Sequence, residues 1–226
     1  MNIKKTSILS VLVLGAALSA SAQSEPVSNT APAAIDPGPG LIGTNYTELG
    51  FGYQNKSGSP GDLRDYDFTS NGAVFREGIW GADANFKYDF TDGGGDGYSD
   101  RRNEALIGLT GFMTQTWGKP FVTADAGYAW QRAGGVSERS FAYQLSGGVE
   151  FEVLRNLALS PFLEYDTEPR LHNSVPSVAN LPDHVILFGA KAAYRLTRNW
   201  SLTGAVTLDQ YSGSDLGVRA GVAYRF

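Results

Sequence analysis

The chain has no cysteine among its 226 residues, so neither a disulfide nor a thiolate-held metal can contribute to its stability or chemistry. Histidine occurs only as His172 and His184. Beyond residue 22 no apolar run approaches the length of a membrane-spanning helix. Positive charge is scarce, with 18 lysines and arginines against 23 acids, a formal balance of −5. That balance argues against nucleic acid as a partner and against a polybasic attraction to anionic lipid.

Glycine is abundant, at 28 residues, and aromatic side chains make up 12%. The first 22 residues carry Lys4 and Lys5, an apolar stretch from Ile8 to Leu18, and Ala20-Ser21-Ala22. Together these read as a secretory signal cleaved near Ala22. The signal takes two lysines and no acid with it, so the balance of the remainder moves from −5 to −7. Residues 23–43 are rich in Ala, Pro and Ser, with Pro37-Gly38-Pro39-Gly40 near their end. Such a segment buries too little apolar surface to fold and is expected to be a flexible leader.

From Thr44 to Phe226 the pattern has period two, the period of a strand with unlike faces. The last stretch is the most telling. Leu216, Val218, Ala220, Val222, Tyr224 and Phe226 fall on one face; Gly217, Arg219, Gly221, Ala223 and Arg225 fall on the other. An exposed apolar strand edge recruits other chains, so this strand is expected to pair with the first and close a barrel. Upstream, Leu49, Phe51 and Tyr53 alternate with Glu48, Gly50 and Gly52; Trp80, Phe86, Tyr88 and Phe90 alternate with Asp83, Asn85, Lys87 and Asp89. Phe141 to Val153 alternates most cleanly, with Gln144, Ser146, Glu150 and Glu152 on the other face. Ten such segments can be counted. The second, near residues 65–75, is the least regular, and eight strands is the alternative count. Short turns are expected after the even segments, at Arg76-Glu77-Gly78, Gln115–Lys119, Leu154-Arg155-Asn156 and Thr197-Arg198-Asn199. Longer loops are expected after most odd ones, at Asn55–Arg64, Thr91–Arg101, Arg132–Arg139 and Glu168–Asp183. Aromatic residues gather near segment ends: Tyr53, Tyr88, Phe90, Trp130, Trp200, Tyr224 and Phe226.

Over 44–226 this pattern resembles bacterial outer-membrane β-barrels, and among them the small OmpA/OmpX-like porin families, whose commonest form has eight strands. The ending Tyr224-Arg225-Phe226 is similar to their C-terminal assembly signal, read by the barrel-insertion machinery. The resemblance implies an all-β, transmembrane, antiparallel up-and-down barrel in the bacterial outer membrane. It also implies short turns in the periplasm, and outer-membrane lipids and lipopolysaccharide as surroundings.

Four stretches carry residues of chemical interest. His172-Asn173-Ser174 is similar to the His/Ser pair of outer-membrane lipid A deacylases, where His activates a Ser nucleophile. It sits in a proline-containing loop with no third orienting group. Asp183-His184 resembles the Asp–His pair of the omptin proteases, but neighbours on a strand face opposite sides. The Asp/Gly-rich run from Asp92 to Asp100 offers oxygen ligands for Ca²⁺ or for a cation bridging to lipopolysaccharide phosphates, without the spacing of a calcium loop. Each reads better as an ordinary polar loop or strand end; no catalytic residue, metal or cofactor is assigned. The fourth signal is the inward charge. Glu48, Asp83, Glu104, Asp125, Glu150, Glu152, Glu164 and Asp166, on early and middle strands, oppose Lys87, Lys191, Arg195, Arg219 and Arg225. Confined charges are costly unless paired, so a network of lumen ion pairs is expected. Arg219 is expected to be central, since the closing strand should lie beside the strand of Glu48.

Two functions follow from the pattern. One is a structural or surface-interaction barrel with a filled, charge-paired interior, because barrels of about eight strands are just wide enough for their own side chains. The other is a narrow pore for small solutes, with the inward glycines Gly50, Gly52, Gly108, Gly148, Gly217 and Gly221 leaving room for water.

Overall fold

The computed structural model describes residues 38–54, 63–93, 100–133, 136–167, 184–209 and 216–226. The signal segment, most of the leader, the stretch from His172 to Ser174, Asp183 and much of the Asp/Gly run lie outside them. Ten strands are described: β1 (Tyr46–Gln54), β2 (Leu63–Glu77), β3 (Trp80–Gly93), β4 (Asp100–Met113), β5 (Lys119–Ala133), β6 (Val136–Leu154), β7 (Leu157–Thr167), β8 (His184–Arg195), β9 (Trp200–Asp209) and β10 (Leu216–Arg225). Each pairs antiparallel with its sequence neighbours, and β1 pairs with β10, so the sheet is a closed barrel. Closure leaves no strand edge unpaired. The count is therefore ten, and the alternating faces lie as the pattern demands. On β10 Leu216, Val218, Val222 and Tyr224 are exposed on the outer wall, while Ala223 and Arg225 are buried within.

The irregular second strand has a local cause. The β2–β3 register shifts between Ala73 and Phe75, which is a bulge at Val74. One extra residue reverses the alternation beyond it. Phe75 then shares the outer face with Ala82, and Arg76 turns inward with Gly81. The freed backbone N–H of Ala73 donates to Asn45 Oδ1 at 2.8 Å. The expected turn at Arg76-Glu77-Gly78 is thus displaced: β2 runs through Glu77, and Gly78 turns the chain with a φ of 58°, a conformation glycine adopts without strain. A second bulge lies in β6 next to Leu154.

The connections are also less asymmetric than expected. Arg132–Arg139 is a strand hairpin rather than a loop, with Ala133 opposite Val136. Polar residues at both strand ends hid this, because alternation of polar with polar carries no period.

The lower end of the barrel, where the short turns and both described chain ends lie, holds the largest departure. Residues 38–43, placed by composition in a flexible leader, sit inside the lumen. Pro39 is fully buried and Leu41 is 4% exposed. Leu41 packs with Ala193, Ala223 and Tyr46. Composition argues only that this segment cannot fold alone; the barrel supplies the surface it lacks.

Closure can be checked chemically, because the chain has no native thiol. Leu49 lies opposite Val222 across the β1–β10 seam. Leu49→Cys with Val222→Cys should cross-link on oxidation, since directly opposed strand residues bring their Cα atoms within about 4.5–5.5 Å. Leu49→Cys with Val218→Cys should remain reduced. The reverse result on a non-reducing gel contradicts the register.

Candidate functional site: a charged lumen and its strap

The inward residues divide into three tiers. At the lower end they grip the strap formed by residues 38–44. The carboxylate of Glu150 accepts the backbone N–H of Leu41 at 2.7 Å and of Ile42 at 3.2 Å. Asp83 accepts from Gly43 N at 3.2 Å and from Asn71 Nδ2 at 3.0 Å, and is ion-paired with Arg76. The carbonyl of Gly38 accepts from Arg225 at 2.7 Å and from Arg195 at 3.2 Å; Arg225 also donates to the Pro39 carbonyl. Lys119 donates to the Ile42 carbonyl at 3.3 Å and lies 3.7 Å from Glu150 and 4.0 Å from Glu152. A strap without secondary structure of its own thus has its backbone groups satisfied by side chains from β2, β3, β5, β6, β8 and β10, as buried peptide groups require. Gly43 meets a steric demand: its φ is 80°, and a Cβ there would come within 2.8 Å of the Phe112 ring.

The middle tier holds two ion pairs on opposite walls. Lys191 Nζ lies 2.6 Å from Glu48, whose other oxygen accepts from Thr203 Oγ1 at 2.6 Å. Lys87 Nζ lies 2.6 Å from Asp125 and donates to Gln144 at 2.5 Å. Glu164 joins this second group through Gln144 and the charge of Lys87. The upper tier centres on Arg219, which reaches Asp65 at 2.5 Å, Asp67 at 3.2 Å and Asp89 at 3.9 Å. Beside it Arg102 is ion-paired with Glu104 and lies 3.8 Å from Asp166. A cavity of about 330 Å³ runs between the tiers, from Leu41 up to Arg219.

The inward charges named from the sequence lie on the inner face, with Glu152 at the lower rim and half exposed, but the partners differ in part. Arg219 is opposite Gly52 on β1, whereas Glu48 is opposite Ala223. The arginine reaches past β1 to the acids of β2 and β3. Asp65, Asp67, Asp89, Arg76, Arg102 and Lys119 complete the network. Asp65, Asp67 and Asp89 sit at plain inward positions; Arg76 was hidden by the bulge, and Arg102 and Lys119 by lying at segment ends. The pattern also missed an apolar component. Leu106, Ala129 and Ala142 form a buried inward cluster, and Phe112, at 6% exposure, faces inward on β4.

Three of the inward glycines are overhung by their neighbours. A Cβ on Gly50 would come within 2.1 Å of Asp67, one on Gly108 within 2.0 Å of Asp125, and one on Gly148 within 3.0 Å of the Phe121 and Phe162 side chains. They are the hollows into which larger neighbours lean.

The other sequence candidates disperse. His184 faces outward and stacks on Tyr165, with ring centroids 5.4 Å apart. Asp92 lies in β3, where its carboxylate binds Arg101 Nε at 2.9 Å. Tyr224 faces outward against Trp200, at 4.9 Å between centroids. Phe226 follows β10 and donates its backbone N–H to the Asn45 carbonyl at 3.3 Å. Among the described residues no group of three or more His, Cys, Asp or Glu side chains is placed to hold a metal ion.

No protein-family model matches the sequence, and no curated protein matches it. Solved structures resemble it in shape. The β domain of the Bordetella autotransporter BrkA is 13% identical, with a TM-score of 0.49 over 81% of this chain and 99% of that one. The translocator domain of the autotransporter NalP from Neisseria meningitidis is 13% identical, with a TM-score of 0.46 over 80% and 87%. The porin KdgM, solved in complex with disordered oligogalacturonate, is 13% identical, with a TM-score of 0.42 over 80% and 99%. Likeness at this level concerns the fold and carries no activity across.

The ion pairs make a stability prediction. Lys191→Met leaves Glu48, 4% exposed at its side chain, without its cation. Stranding one partner of a buried pair costs about 3–5 kcal/mol, and neutralising both recovers most of it. Urea unfolding of Lys191→Met should show that loss, and Lys191→Met with Glu48→Gln should restore most of it. Additive losses in the double variant count against the pair.

Proposed function

We propose that the chain is an integral outer-membrane β-barrel of structural or surface-interaction type, with its lumen closed at the lower end by the strap. The observation that carries this is the outer wall. Ile107, Val122, Tyr128, Phe141, Leu145 and Leu49 are each more than half exposed. Contiguous apolar surface of this kind is rare on water-soluble proteins and is the normal face of a barrel in lipid. Aromatic rows bound the wall. At the upper end Phe51–Tyr66–Phe90 and Tyr128–Phe141–Tyr143–Tyr165 lie in ring contact. At the lower end Trp117 meets Phe151 and Trp200 meets Tyr224. Amphipathic rings favour the two membrane interfaces. The closed hydrogen-bond ladder meets the demand that no backbone group be left unsatisfied in hydrocarbon.

On this reading residues 1–22 direct secretion, Tyr224 and Phe226 serve the insertion machinery, and outer-membrane lipid and lipopolysaccharide surround the wall. The reading keeps the resemblance to the small OmpA/OmpX-like barrels, with ten strands here where their commonest form has eight. The strap and the paired charges favour closure over the narrow pore; no catalytic role is assigned.

Two measurements test it. An arginine on the lipid face near the midplane costs about 2–4 kcal/mol. Leu145→Arg should therefore destabilise the lipid-folded protein by that amount more than Ser146→Arg, since Leu145 is 51% and Ser146 9% exposed. Equal losses contradict a lipid-facing Leu145. In planar bilayers the full chain should pass no steady single-channel current, whereas a variant lacking 38–43 should conduct. Steady current from the full chain overturns the closed lumen in favour of the pore.

A further inference from the structure

The acidic balance of the chain conceals a local concentration of arginine on the outer wall. Cross-strand partners place Tyr53, Arg64, Asp92, Arg101 and Arg132 in one row across β1 to β5. Tyr53 is exposed on the outer face, and directly opposed residues share a face, so the row faces outward. Arg139 faces outward one step lower, opposite Trp130. Arg64, Arg132 and Arg139 are exposed, and the Arg101 side chain is 43% exposed. Asp92 is the single acid in the row and is taken by Arg101.

Two features of this row are unlike a solvated face. Arg101 and Arg132 are directly opposite, and like charges so placed destabilise a sheet. The row also lies one pairing step above Tyr66, Phe90 and Trp130, the aromatic row that marks the upper interface on the reading proposed above. A headgroup phosphate in the outer leaflet would lie at this depth, with its acyl chains against the exposed wall of Ile107, Leu109 and Tyr128 below. Guanidinium groups bind phosphate in paired, charge-assisted hydrogen bonds, and an anion between Arg101 and Arg132 removes their repulsion.

We infer that the outer face of β2–β6, through Arg64, Arg101, Arg132 and Arg139, is a docking surface for a phosphorylated lipid headgroup. The inference rests on the membrane reading. The Asp/Gly run of the sequence needs no bridging cation on this account, because Asp92 serves to orient Arg101.

The test uses the full chain reconstituted in phosphatidylcholine vesicles containing lipid A, a phosphorylated glycolipid, followed by detergent extraction and measurement of lipid A retained per chain. Arg101→Gln with Arg132→Gln and Arg139→Gln should lower retention by about fivefold or more, as loss of several charge-assisted contacts requires. Arg155→Gln with Arg198→Gln, at the opposite end of the barrel, should leave it unchanged. Arg132→Gln alone relieves the like-charge pair, so it should fold at least as well as the parent in phosphate-free detergent and still retain less lipid A. Unchanged retention in the triple and single variants, with normal flotation on vesicles, overturns this inference alone. Equal retention of dephosphorylated lipid A does the same. Failure of the parent chain to float with vesicles overturns the membrane reading and the inference with it.

Discussion

The pairing of β1 with β10 is the constraint on which the rest of the structure depends. A ten-strand sheet left open would present two bare edges, and both edge strands here alternate apolar with small or charged residues. Joining them satisfies both edges at once. It also creates an inside, and every inward side chain must then be accommodated within it. The hollows at Gly50, Gly108 and Gly148 and the neighbours that lean into them follow from that confinement.

Confinement also governs the charges. In water, Glu48 and Lys191 would be worth little to each other; within the barrel each is the condition for the other's burial. The same logic extends to the strap. Residues 38–44 bring peptide groups, and Glu150, Asp83, Arg195 and Arg225 bring groups that would otherwise face one another or empty space. The strap is therefore part of the lumen network, and its sequence can be low in apolar residues because polar contacts hold it. Mixed among these contacts are Leu41 and Phe112, both buried at the lower end.

The outer wall shows the opposite economy. On the membrane reading its residues need no partners, only an apolar medium, and the aromatic rows set the height at which that medium ends. The arginines above the upper row are the exception, since two of them are set against each other at a cost. A phosphate docked there, as proposed above, would relieve that cost.

The sequence by itself determined the periodicity, and through it the strand class, a count of ten or eight strands, and which face of most strands turns inward; the closed sheet decided for ten. Alternation survives any tertiary arrangement, because a strand has only two faces; Leu216 to Arg225 is legible for that reason alone. The inward position of Glu48, Lys87 and Arg219 was equally legible. What the tertiary structure decided was everything that depends on three-dimensional neighbours. A one-residue bulge at Val74 turned Arg76 inward, and nothing in the local alternation marks where an extra residue sits. Arg219 reaches acids on β2 and β3 because its side chain is long and Gly52 beside it carries no side chain to stand in the way, a matter of shape across the lumen. Polar strand ends such as 132–139 have no hydrophobic period to read. The strap was invisible because its burial is conferred by the barrel, and composition reports only what a segment can bury against itself.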